Sequence, residues 1–210
     1  MSLESEKRIR ADWESLKEKA RKSGYWTISK LQTADSGNHS INIEIRGRAI
    51  SVAGPNVDRV EYNDKQLFRI EFPQDFPQAP PTIHIQSPTF HPNLPADGIV
   101  NTNDVGITWS AETPTEVLVE RIWNSLRGSY MDAVNAINLG AGQWYQAKSA
   151  ARPDFFPVDQ RPLFQQVAGS ENVVSYRKKG ESVRYYRKPE PIVIDDVQPD
   201  SDESSVHFID

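Results

Sequence analysis

Between residues 4 and 22, ESEKRIRADWESLKEKARK, the apolar positions Ile9, Trp13, Leu16 and Ala20 recur at spacings of four, three and four. That spacing gathers them on one face of an α-helix and leaves the charges on the other. Gly24 is placed to stop it. The period then shortens to two. Ile41, Ile43 and Ile45 alternate with Asn42, Glu44 and Arg46; Phe68, Ile70 and Phe72 alternate with Arg69 and Glu71; Ile83 and Ile85 flank His84. With residues 25–31, these segments predict four half-buried strands. DSGN at 35–38 and VAGPNVD at 52–58 supply turns, and an antiparallel meander is the economical arrangement.

Residues 87–112 carry no period and predict a long ordered loop, uncommon in a compact domain and usually either functional or disordered. TPTE at 113–116 then predicts a helix start, with Thr113 as N-cap, Pro114 at the first helical position and Glu116 closing a capping box. Leu118, Ile122 and Leu126, with Val119 and Trp123 beside them, form its buried stripe. A further helix is predicted over residues 132–148, weakened by about 1 kcal/mol at each of Gly140 and Gly142. The result is an α+β domain over residues 1–150. Residues 151–170 form an extension that packs back through Phe155, Phe156 and Phe164, and 171–210 an arm that is first basic (VVSYRKKGESVRYYRK) and then acidic (PDSDESS). A hairpin and a disordered segment both fit that arm.

Composition removes several classes of function. The net charge of −5 disfavours nucleic acid, whose binding rests on a basic surface. There is no cysteine, which excludes disulfides, thiolate metal sites and a cysteine nucleophile. The four histidines are scattered, with no paired spacing that would hold a metal, and nothing calls for a cofactor. No apolar run approaches the roughly 18 residues of a membrane span, and the N-terminus MSLESEKRIR is too charged for the apolar core of a signal peptide. The expectation is a soluble, cytoplasmic protein.

The stretch HPNLPADGIVNT, residues 91–102, carries the strongest motif. His91, Pro92 and Asn93 are followed by Gly98, by Asn101 ten positions after the histidine, and by Trp109 and Ser110 eight and nine positions after Asn101. DFPQAPP at 75–81 precedes them, and Tyr62 with Phe68 lies further upstream. In this order and spacing, residues 1 to about 148 resemble the ubiquitin-conjugating enzymes. The resemblance implies their fold: an N-terminal helix, a four-stranded antiparallel meander, the long HPN loop, then C-terminal helices. It also implies a chemistry that this chain lacks, since Asn101 stands at the family's catalytic cysteine. That cysteine accepts the C-terminus of a ubiquitin-like modifier as a thioester because a thiol ionises near neutrality. A carboxamide nitrogen, delocalised into its carbonyl, does no such work.

The same resemblance assigns roles to the neighbours. Asn93 matches the residue that stabilises an oxyanion in the family; without a thioester, it and His91 become braces of their own loop. Asp132 loosely matches an aspartate near the attacking lysine. Gln78 and Ala111 replace an aromatic residue and a proline that many relatives present to ligases, while Lys7, Arg8 and Arg10 keep the basic first helix that meets the activating enzyme. In the C-terminal arm, Ile192, Val193, Ile194, Asp195 and Asp196 have the form of a motif that binds SUMO-type modifiers by strand addition; a strand returning onto this protein's own sheet is the favoured reading of Ile192, Val193 and Ile194. Three functional readings follow. The first is an inactive family member that binds a ubiquitin-like modifier or an active conjugating or activating enzyme. The second is an enzyme forming an oxyester on Thr102 or Ser110, and the third a scaffold unrelated to such modifiers. The sequence leaves the oligomeric state open.

Overall fold

A computed structural model describes residues 2–34, 36–54 and 59–164, together with the backbone of 174–176 and 184–186. The chain divides into two units, Met1–Gln165 and Gln166–Asp210.

The first helix, α1 (Leu3–Ser23), buries Ile9, Leu16 and Ala20 as its period predicts, with Trp13 partly buried beside them. The Ser2 side chain accepts the Ser5 amide at its start, and Gly24 ends it in the left-handed region at φ 73°, a conformation glycine adopts without the strain a side chain brings. The strands β1 (Trp26–Ile28), β2 (Gln32–Thr33), β3 (His39–Ile45), β4 (Ala49–Val52), β5 (Glu61–Asn63), β6 (Gln66–Phe72), β7 (Thr82–Ile85) and β8 (Ile99–Val100) follow. The main sheet runs β1-β3-β6-β7-β8, with β2 also on β3, and every pairing is antiparallel. Its first four strands are the predicted meander.

Register explains the core. Ile43, Phe68 and Ile85 align across β3, β6 and β7, and so do Ile41, Ile70 and Ile83, so the alternating side chains meet in rows on one face. Against that face lie α1 and the helix α2 (Thr115–Leu126), whose Leu118, Val119, Ile122, Trp123 and Leu126 are all buried. The short pair β4–β5 stands apart as its own two-stranded sheet. With Ile50 as its one fully buried large side chain, β4 is too short to register as a period.

Three boundaries differ from the sequence expectation. The predicted capping box does not form: α2 begins at Thr115 with Pro114 as its N-cap residue, and Pro114 gives no side-chain cap. Instead Asp12 of α1 accepts the Thr115 hydroxyl at 2.6 Å and its amide at 3.4 Å, while Glu116 bonds Lys19 and Ser15. Tertiary capping has replaced the local one. The last helix, α3, spans Leu139–Ala151 rather than 132–148. The amides of Asp132, Ile137 and Asn138 are already taken by the Asn93 side chain and the Pro92 carbonyl, so they cannot enter a helical ladder; Asn138 caps the helix by accepting the Ala141 amide. The 87–112 loop holds β8 and a 3₁₀ turn, Thr102–Val105.

Residues 152–164 return over the domain. Phe156 stacks on Tyr145 at 4.6 Å between ring centroids and meets Trp144 and Phe155 edge-on, while Leu163 and Phe164 join the main core and Arg161 O accepts the Trp123 indole N–H at 2.7 Å. In the second unit, β9 (Val174–Tyr176) pairs antiparallel with β10 (Arg184–Tyr186). The 191–196 motif and the acidic tail lie outside the described residues.

Candidate functional site

The HPN loop leaves β7 and returns as β8, the edge of the main sheet, whose Val100 and Ile99 pair with Ile83 and His84. Gly98 makes the return possible. Its φ is 75°, and a Cβ there would sit 2.5 Å from the Ile85 carbonyl oxygen, inside van der Waals contact. Ile85 N–H also donates to Gly98 O at 2.8 Å.

Directly after β8, Asn101 is exposed at the head of the 3₁₀ turn. Its backbone amide donates to Asp104 Oδ2 at 2.7 Å and its side-chain amide reaches the same oxygen at 3.3 Å. Asn101, expected from the sequence at a nucleophile position, thus anchors a turn. The Asn-x-x-Asp spacing of a local cap was a signal for Asp104 that the sequence reading passed over.

His91, Pro92, Asn93 and Asp132 converge beneath the loop. His91 is 1% exposed; its Nδ1 accepts the Asn93 amide at 3.1 Å and its Nε2 lies 3.0 Å from the Tyr130 carbonyl. This arrangement fixes a neutral imidazole with the proton on Nε2. Burial depresses its pKa to about 4, against a raising contribution from the Tyr130 hydrogen bond. Asn93, equally buried, has both ends of its carboxamide in use: Oδ1 accepts the Asp132 amide at 2.8 Å, and Nδ2 donates to the carbonyls of Asp132 at 3.0 Å and Asn135 at 3.5 Å. Pro92 O accepts from Ile137 and Asn138. The Asp132 carboxylate turns to Asn135, accepting its amide and its side-chain N–H. Trp109 is not part of this group; its indole N–H donates to Pro77 O at 2.8 Å and its ring lies against Phe76.

The alternative nucleophiles are poorly presented. Thr102 is 2% exposed, and Ser110 Oγ is paired with Thr113 Oγ1 at 3.0 Å rather than with a base. On α1, Arg8 is committed to the carbonyls of Ala111 and Thr113 and to Asp12, whereas Arg10 is exposed. Gln78 is exposed too. Among the described residues no group of three or more His, Asp or Glu side chains is placed to hold a metal ion, and no helix is long and apolar enough to cross a membrane.

The family description "Ubiquitin-conjugating enzyme" matches residues 31–151, more than half of the chain. The chain belongs to the ubiquitin-conjugating enzyme family. The N-terminal helix, the antiparallel sheet and the C-terminal helices are that family's fold, carried here by a chain with no cysteine. Solved structures similar to it include a putative ubiquitin conjugating enzyme from Trypanosoma cruzi, at 20% identity and TM-score 0.48 over 75% of this chain and 97% of that one. Ubc12 of S. cerevisiae is another, at 15% identity and TM-score 0.46 over 70% and 77%. No curated protein matches the sequence.

Proposed function

We propose that this member of the ubiquitin-conjugating enzyme family forms no thioester and works by binding, holding a ubiquitin-like modifier or a protein of a conjugation pathway without covalent transfer. One observation carries the reading. The exposed residue at the nucleophile position is Asn101, bound to Asp104, in a chain with no cysteine anywhere. The loop around it keeps its shape, because His91, Asn93 and Gly98 are committed to backbone groups. A preserved surface over a missing reactive atom fits recognition better than chemistry.

The test is an adduct assay. The chain and its Asn101→Cys variant are each incubated with a modifier, its activating enzyme and ATP, then resolved with and without thiol reductant. The native chain is expected to give no adduct. A band on the variant that reductant removes identifies a modifier that this surface accepts. An adduct on the native chain overturns the proposal, and one cleaved by hydroxide but not by thiol would place an oxyester on Thr102 or Ser110.

A further inference from the structure

Three arginines are gathered where the chain leaves β3 and passes over α2. Arg46 and Arg48 are exposed, while Gly47 between them is buried. A Cβ at Gly47 would collide with the indole ring of Trp123, which is fully buried and has no room to swing aside. The backbone is therefore pressed onto α2, and the two flanking side chains are left to solvent.

The third arginine, Arg161, comes from the returning segment. Its guanidinium donates to the Arg46 carbonyl at 2.8 Å and to the Asp159 carboxylate through Nε and Nη2, and the same carboxylate accepts the Arg48 amide at 3.1 Å. Asp159, nearly buried, thus ties the three residues to one another. Two tyrosines orient the guanidinium planes: Arg161 lies 4.9 Å from the centroid of the Tyr25 ring and Arg48 5.2 Å from that of Tyr62. Stacking of this kind holds the cation by its face and leaves the N–H edges of its planar fork for a ligand. Among the described residues, the Arg46 guanidinium has no partner, Arg48 gives only Nε, to Asp64, and Arg161 keeps Nη1 free. The Asp64 side chain is 73% exposed, so water screens that pair and a ligand can replace it.

Charge selects the occupant. The chain as a whole carries −5, and on α1 Lys17, Lys19, Arg21 and Lys22 each have a carboxylate partner. Arg46 has none among the described residues, and Asp159 is already taken up by Arg161. We infer that Arg46, Arg48 and Arg161 form a docking surface for a segment of a partner protein rich in aspartate and glutamate, whose carboxylates take the free edges of these forks. None of the three belongs to the HPN loop, so this surface goes beyond the reading of Asn101 and stands or falls apart from the adduct assay.

The test is a titration of the full chain, isotopically labelled, with three peptides of one length. The first alternates glutamate and aspartate with glycine and serine; the second has glutamine and asparagine in place of the acids; the third has lysine and arginine. The acidic peptide is expected to saturate, to move the amides of residues 46–48 and 159–161, and to weaken severalfold as salt is raised, while the other two leave those amides in place. Arg46→Gln combined with Arg48→Gln, which removes two exposed side chains and keeps their backbone bonds, is expected to lower affinity at least tenfold with the rest of the spectrum unchanged. Arg46→Lys, which keeps the charge and loses the fork, is expected to lower it by about threefold. Neutral-peptide binding as tight as acidic, shifts confined to other residues, an unaffected double variant or no saturation overturns the assignment. So does tighter binding of a single-stranded oligonucleotide of equal charge, which would make nucleic acid the occupant. Acidic-peptide binding that emerges only once residues 195–210 are removed overturns it too, since the chain's own acidic segment would then compete for the surface.

Discussion

His91 sits against the Tyr145 ring with both nitrogens in hydrogen bonds and almost no access to water. A proton added there would be buried, and burial takes the folded pKa to about 4 from an ordinary value near 6.5. In the pH window between those values the unfolded chain binds the proton and the folded one does not. Stability from this site is therefore complete above about pH 6.5 and declines as pH falls toward 4, by an amount on the order of 3 kcal/mol. Urea denaturation of the native chain and of His91→Gln across pH 4–7 measures it: the native curve should slope more steeply. Parallel slopes would mean that the ring protonates in place. The histidine that in an enzyme invites a catalytic reading here holds a backbone turn, and Asn93 does the same with both ends of its side chain.

The starts of α2 and α3 are set by tertiary groups that satisfy or claim backbone amides, and that is where the sequence misled. TPTE carries the residues of a capping box, yet Asp12 reaches Thr115 from another helix and Glu116 leaves for Lys19 and Ser15. Asp12→Ala should therefore lower stability by about 1–2 kcal/mol, the worth of an N-cap, where Thr113→Ala changes it by less. Urea midpoints for the two variants decide between the local and the tertiary cap. Helix α3 was displaced for the same reason: no local signal in DAVNAIN announces that Pro92 and Asn93 will claim its amides. By contrast, α1 and the strands β3, β6 and β7 were legible because a sustained period, set against one continuous core, leaves one burial pattern available.

At the scale of the whole domain, residues 152–164 close the side of the core that α2 leaves open. Asp159 is 7% exposed and accepts the amides of Arg48 and Arg161 and the Arg161 guanidinium, hydrogen bonds that hold its carboxyl below the usual range against the raising effect of burial. Arg127 donates to its carbonyl at 3.0 Å. Behind this clasp stand Trp123 and Leu163, both within 2% of full burial. A chain ending at Ala151 should lose more than about 3 kcal/mol relative to one ending at Gln165, since it uncovers Trp123, removes the buried Leu163 and takes away the carbonyl to which the Trp123 indole N–H donates. Thermal and urea unfolding of the two lengths, followed by tryptophan fluorescence, tests this; equal midpoints would make the segment a passive cover.

The candidate site divides along the same line. The absence of a thiol follows from residue identity alone, and the expectation that Asn101 stands at the nucleophile position follows from the resemblance in motif order and spacing. That reasoning does not depend on where anything lies in space. Which side chains brace the loop, and that Ile137 and Leu139 face outward beside Asp97, were decided only by the tertiary structure. Those facts depend on hydrogen bonds between residues about forty positions apart and on which apolar side chains the core has no room to take. Period and spacing are local properties of the chain, while exposure and partnership exist only once distant segments have met.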